Sequence, residues 1–183
     1  VQGTADGKEL DLADVLAADD GTYGTKGKIT PTTLKVAIAA DHVKFNQGTK
    51  YAAGSGILDA GTLTVGKDGA FGIDAGIVNI ANKLTISEHT DGNANLTIGG
   101  TGVLNLDAKG NSGSLSAKAV TINTTSETTN ALNFKNGTWD TAANITLTKG
   151  NVTLDGAVLN LTGKLTAADS TSGTVTADNS TIN

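Results

Sequence analysis

The chain has no cysteine, no methionine and no arginine, a single proline, and six aromatic rings among 183 residues. Each absence closes a class of function. Without Cys there are no disulfides, thiolate nucleophiles, zinc ribbons or iron–sulfur ligands. All 13 cations are Lys and the formal net charge is −5, so the clustered cations and guanidinium forks that hold nucleic acid are missing, and no nucleic-acid partner is expected. No apolar run approaches the roughly 18 residues of a helical membrane span. No signal-peptide pattern is present either, so an exported protein would be expected in processed or trimmed form. With 3% aromatic residues, the core has to be filled by Val, Ile, Leu and Ala, a diet that suits a thin, regular core.

What the chain does have is repetition. From about residue 56, short alternating pieces follow one another: Thr62-Leu-Thr-Val65, Leu84-Thr-Ile86, Leu96-Thr-Ile98, Leu104-Asn-Leu106, Val120-Thr-Ile122 and Leu132-Asn-Phe134. The series continues through Ile145-Thr-Leu147, Val152-Thr-Leu154, Leu159-Asn-Leu161 and Val175-Thr-Ala177. In each, the flanking apolar side chains point one way and the central Thr or Asn the other. Asp-Gly (68–69, 91–92, 155–156), Gly99-Gly100 and Asn136-Gly137 stand between them and allow corners with positive φ. The same dipeptides signal hairpins, so an antiparallel, jelly-roll-like β-sandwich is the alternative architecture. The spacing favours a parallel β-helix. Leu63, Leu84 and Leu104, and likewise Ile145 and Leu165, recur at roughly twenty residues, within the period of coiled repeats. Leu84, Leu104, Ile145 and Leu165 are therefore expected in the core, with 107–118 and 123–131 bulging from corners as insertions.

Residues 1–50 differ and read as an irregular N-terminal cap or assembly segment, with the solenoid over 51–183. Glu9 to Asp20 reads as a short helix or an edge strand, Thr22 to Thr33 as a loop around Pro31, and Lys35 to Asn46 as two short strands about Ala40-Asp41. Gly173 to Asn183 still reads as strand, so the solenoid is expected to continue past the last residue.

This run of Leu-Thr-Ile, Leu-Asn-Leu and Val-Thr-Leu pieces with Gly/Asp/Asn corners resembles the passenger regions of bacterial autotransporter adhesins and of filamentous-haemagglutinin-type exoproteins. The likeness covers about residues 56–183 and lies in composition and period, with no Asn-Pro-Asn-Leu secretion signature and no C-terminal barrel in the chain. It implies a right-handed β-helix on a Gram-negative surface, extracellular, acting in attachment or cell–cell aggregation.

Several constellations invite a chemical reading. Gly110-Asn-Ser112-Gly-Ser-Leu115 is similar to a serine-protease nucleophile segment, with His42 as its base, but Asn111 replaces the motif's Asp, the roughly seventy intervening residues are too few for the two barrels that chemistry spans, and a Gly/Ser-rich corner explains the string by itself. Glu88-His89 lies in a polar turn, where neighbours face opposite ways. Asp59, Asp74, Asp107 and Asp155 end strands and are the carboxylates that a carbohydrate-active β-helix would use. No cofactor is expected. Fifteen Asp against three Glu leave Ca²⁺ at Asp-rich turns open, although Gly99 to Leu106 departs from the calcium nonapeptide at Val103 and Asp also simply makes corners. Seven Asn-x-Thr sequons occur, at Asn95, Asn123, Asn136, Asn144, Asn151, Asn160 and Asn179. Thr-x-Thr pairs at 62/64, 146/148 and 174/176 hint at an ice-binding array but are scattered.

The expectation is thus a non-catalytic adhesive or structural surface protein, working through a repetitive Thr/Asn/Asp-rich face on a host glycan, a matrix protein or copies of itself. The alternatives are a subunit of an extracellular filament or surface layer, its first 20 residues pairing with the next subunit's sheet edge, and a carbohydrate-active β-helix enzyme.

Overall fold

The computed structural model describes residues 9–11, 28–29, 36–45, 49–65, 70–87, 92–169 and 171–183, with side chains from residue 57 onward. The strands are β1 (Glu9–Asp11), β2 (Lys28–Ile29), β3 (Val36–Phe45), β4 (Thr49–Val65), β5 (Ala70–Ile86), β6 (Asn95–Gly100), β7 (Val103–Asp107) and β8 (Ser112–Ser116). Then come β9 (Ala119–Thr124), β10 (Asn130–Thr141), β11 (Asn144–Lys149), β12 (Asn151–Leu161), β13 (Leu165–Ala167), β14 (Val175–Asp178) and β15 (Thr181–Ile182). Every pairing between them is parallel, and no helix occurs among the described residues. The chain is a parallel β-solenoid of about five turns, and the sandwich is excluded.

Each turn contributes to three columns of strands. The first stacks the openings of β4 and β5, then β6, β9, β11 and β13. The second stacks the middles of β4 and β5, then β7, the first half of β10, the first half of β12, and β14. In the third, the ends of β4 and β5 are followed by β8, the second halves of β10 and β12, and β15. Equivalent inward residues form aliphatic ladders: Phe71–Leu96–Val120–Ile145–Leu165 in the first column, and Leu58–Val78–Leu104–Leu132–Val152 in the second. All of these but Leu165 are buried. Removing each such side chain from water is worth about 1.5–3 kcal/mol, so the ladders hold the coils together.

Two registers differ from the expectation. Leu63 does stack on Leu84, but Leu104 lies over Val78, and Leu84 is covered by Leu115. The reason is that residues 112–116 are no insertion: they are strand β8, which closes the third side of its turn and lengthens that turn. The second expected insertion shrinks to the loop at 125–129, because Thr124 ends β9 and Asn130 starts β10. Leu165 is half-buried, since β13 is paired on one side only, to β11.

Within the first 50 residues, the parallel pairing reaches β1, β2 and β3. Glu9–Asp11 is strand, and the rest of the Glu9–Asp20 segment lies outside the described residues. Inside the expected loop, Lys28–Ile29 pairs with Lys50–Tyr51. The two short strands expected around Ala40-Asp41 are one strand with a register shift between Val36 and Ala40.

Corners carry the glycines. Gly100 has φ 53°, and a Cβ there would lie 2.1 Å from the Asp74 carbonyl oxygen, so only Gly lets this corner seat on the turn below. Gly113 solves a different problem. A Cβ on it would lie 2.6 Å from the ring of Trp139, its register partner, which is fully buried and tilted against Phe134 at 6.4 Å.

Candidate functional face

The outward residues of the second column are tied into one hydrogen-bonded chain. Asn79 Nδ2 donates to Asp59 Oδ1 at 2.6 Å, Asn105 Nδ2 to Asn79 Oδ1 at 2.8 Å, and Asn133 Nδ2 to Asn105 Oδ1 at 2.9 Å. Thr153 Oγ1 closes the series by donating to Asn133 Oδ1. A carboxylate only accepts, so Asp59 fixes the orientation of every amide above it. The third column repeats the device, with Asn160 Nδ2 donating to Asp140 Oδ1 and Asn183 Nδ2 to Asn160 Oδ1. These chains clamp neighbouring turns from outside while the aliphatic ladders hold them inside.

A stability test follows from the direction of the chain. Asn105→Ala should cost about 1–3 kcal/mol, because it leaves Asn79 and the buried Asn133 each short of a partner. Asn105→Asp, though isosteric, should cost at least as much, since it removes the donor and sets a carboxylate against Asn79 Oδ1. Asp59→Asn keeps shape and acceptor, and should cost less than about 0.5 kcal/mol, the scale of ordinary surface changes. Equal denaturant midpoints for the two Asn105 variants and the unaltered chain would show that the chain of bonds contributes nothing.

The first column presents a different surface. Thr97, Thr121, Thr146 and Thr166 occupy equivalent outward positions on four consecutive turns. Their neighbours on this side include Gly72, Asn95, Ala119, Asn123, Asn144 and Thr148, so the middle of the face carries no charge from Gly72 to Thr166; beyond Gly72 the same register continues to Lys50 and Lys28. Lysines stand on its entering edge, Lys118 before β9 and Lys164 before β13. On the leaving edge are Asp74 and Asp169, together with Lys149. Asp169 caps its turn: Oδ1 accepts from Thr171 Oγ1 and the Thr171 backbone N–H, both at 2.8 Å, and from Ser172 Oγ at 3.0 Å. Those bonds, the Thr171 hydroxyl first, hold its carboxyl below the usual 3.8.

The residues singled out in the sequence are dispersed. Register places His42 opposite Thr62, Thr62 opposite Lys83 and Lys83 opposite Ser114, three strand spacings or roughly 14 Å from the serine segment. Ser112 is exposed and pairs with Thr138, while Gly113, beside it, is the seat of Trp139. Glu88 and His89 lie outside the described residues. Asp59 ends the amide chain, and Asp74 sits on another column, under the Gly99–Gly102 corner. Asp107 accepts from Asn136 Nδ2 at 3.2 Å and from the Lys109 N–H at 3.0 Å. Lys135 lies between Asp107 and Asp155 in register, so those two carboxylates are two strands apart. Among the described residues no three His, Asp or Glu side chains converge as a metal site would require.

Of the sequons, Asn136, Asn144, Asn151 and Asn160 take part in bonds between turns. Asn179 bonds its neighbour Asp178, Asn123 is exposed at the end of β9, and Asn95 is half-buried. The three Thr-x-Thr pairs fall on three different columns and form no array. No single apolar-Thr-apolar piece shows which others lie beside it, so the Thr97–Thr166 row is legible only in the order in which Thr- and Asn-centred pieces follow one another. Comparison with known protein families, curated proteins and solved structures finds no match.

Proposed function

We propose that this chain is a non-catalytic adhesive segment of an extracellular bacterial surface protein of the autotransporter or filamentous-haemagglutinin passenger type, acting in attachment or cell–cell aggregation. Its partners are host glycans, matrix proteins or copies of itself. The observation that supports this reading is the uncharged threonine row, four hydroxyls in register on consecutive parallel strands, spaced by about 4.8 Å. Exposed hydrogen bonds are worth about 1 kcal/mol each, so a face of this kind works by number and register. Presentation in many copies on a cell supplies the rest through effective concentration.

The test is attachment and aggregation of beads bearing the full chain in many copies. Alanine at His42, Glu88, His89 or Ser112 should leave both unchanged, because none of these positions belongs to the row. Loss of attachment with any one of them would return the protein to a catalytic reading.

A further inference from the structure

Two features of the first column bear on which partner it takes. Its middle is uncharged over the turns from Gly72 to Thr166, so two copies of a chain of net charge −5 meet there without setting like charges against each other. A hydroxyl both donates and accepts, so a threonine row is complementary to itself. The edges add an orientation. Lys164 precedes Thr166 by two residues and Asp169 follows it by three, in the same turn. Rotation by 180° about a line along the row, parallel to the solenoid axis, lays each threonine over its own counterpart. The same rotation brings Lys164 opposite Asp169 of the second copy, and Asp169 opposite the second Lys164.

We infer that the face formed by β6, β9, β11 and β13 is a self-association surface, on which a second copy of this chain packs by two-fold symmetry about the Thr97–Thr121–Thr146–Thr166 row. Resting on the adhesive reading, this names its partner. Size sets the strength. Four strands about 4.8 Å apart, with about six residues of about 3.3 Å each, cover roughly 400 Å² per copy, against about 800 Å² for a stable complex. Pairing is therefore weak in free solution and effective only between dense arrays. The amide chain on the neighbouring column ties together the turns of Thr97, Thr121 and Thr146, which lowers the ordering cost of binding.

The test uses full-chain beads at high density, with melting curves to confirm that each variant is folded. Thr121→Glu and Thr146→Glu set like charges against each other across the two-fold axis and should lower bead–bead aggregation at least tenfold. Thr85→Glu, outward on the third column, should leave aggregation unchanged. Lys164→Asp should weaken aggregation several-fold, and added salt should restore it by screening the repulsion with Asp169. Full aggregation by the Thr121 variant, or an equal loss in the Thr85 variant, would overturn the assignment. If Thr121→Glu abolishes attachment to a glycan or matrix coat and spares bead–bead aggregation, the face takes a foreign ligand; the self-association fails while the adhesive reading stands. Beads of unaltered chain that neither aggregate nor attach would overturn both.

Discussion

Leu104→Ala should destabilise the protein by about 2–5 kcal/mol, the range for deleting a buried Leu side chain when the surroundings cannot close. Leu104 is fully buried in the middle of its ladder, with Val78 on one side and Leu132 on the other. Both neighbours are fixed by strand hydrogen bonds, so the turns cannot slide together to fill the void. The same substitution at Leu165, half-buried on the singly paired β13, should cost clearly less. Denaturant titration of the two variants measures the difference. A loss below about half a kcal/mol at Leu104 would mean that its side chain faces solvent, as a one-residue slip would place it.

Trp139→Ala should cost about 3–5 kcal/mol, since the largest buried side chain would leave the largest cavity. Its partner Gly113 should be almost as sensitive to growth. Gly113→Ala places a methyl 2.6 Å from the ring and 2.9 Å from the Asn82 carbonyl oxygen, and overpacking of that kind costs about 1–3 kcal/mol. The two positions should be coupled. With Trp139→Phe in place the smaller ring leaves room, so Gly113→Ala should cost less there by more than about 0.5 kcal/mol. Strict additivity would show that Gly113 is not the seat of the ring.

The sequence carries the fold in its alternation. Every Leu-Thr-Ile or Leu-Asn-Leu piece from 84 to 154 places its apolar pair inward. What it carries less plainly is which pieces are neighbours. The amide chain steps by 20, 26, 28 and 20 residues between turns, because corners and the 125–129 loop vary in length while strand spacing does not. A fixed period of twenty therefore aligns Leu84 with Leu104, whereas Leu84 is covered by Leu115 in the strand at 112–116 and Leu104 belongs to the second column, over Val78. A better signal was present. Between Leu96 and Leu147 the central residue alternates Thr, Asn, Thr, Asn, Thr, and those are the first and second columns in turn. The serine segment reads as a corner rather than a strand for a related reason, because Gly113 is small to admit an indole that lies 26 residues later and cannot be inferred from its neighbours.

The proposed function rests on repeated weak contacts on an outer face. The most direct measurement is attachment and aggregation of chain-bearing beads as surface density is varied, set against inhibition by the free chain. A steep, threshold-like rise with density is expected, with little inhibition by free chain at equal total concentration. Attachment proportional to density, with free chain competing at the same concentration as displayed chain, would contradict it, because that is the behaviour of a single tight site.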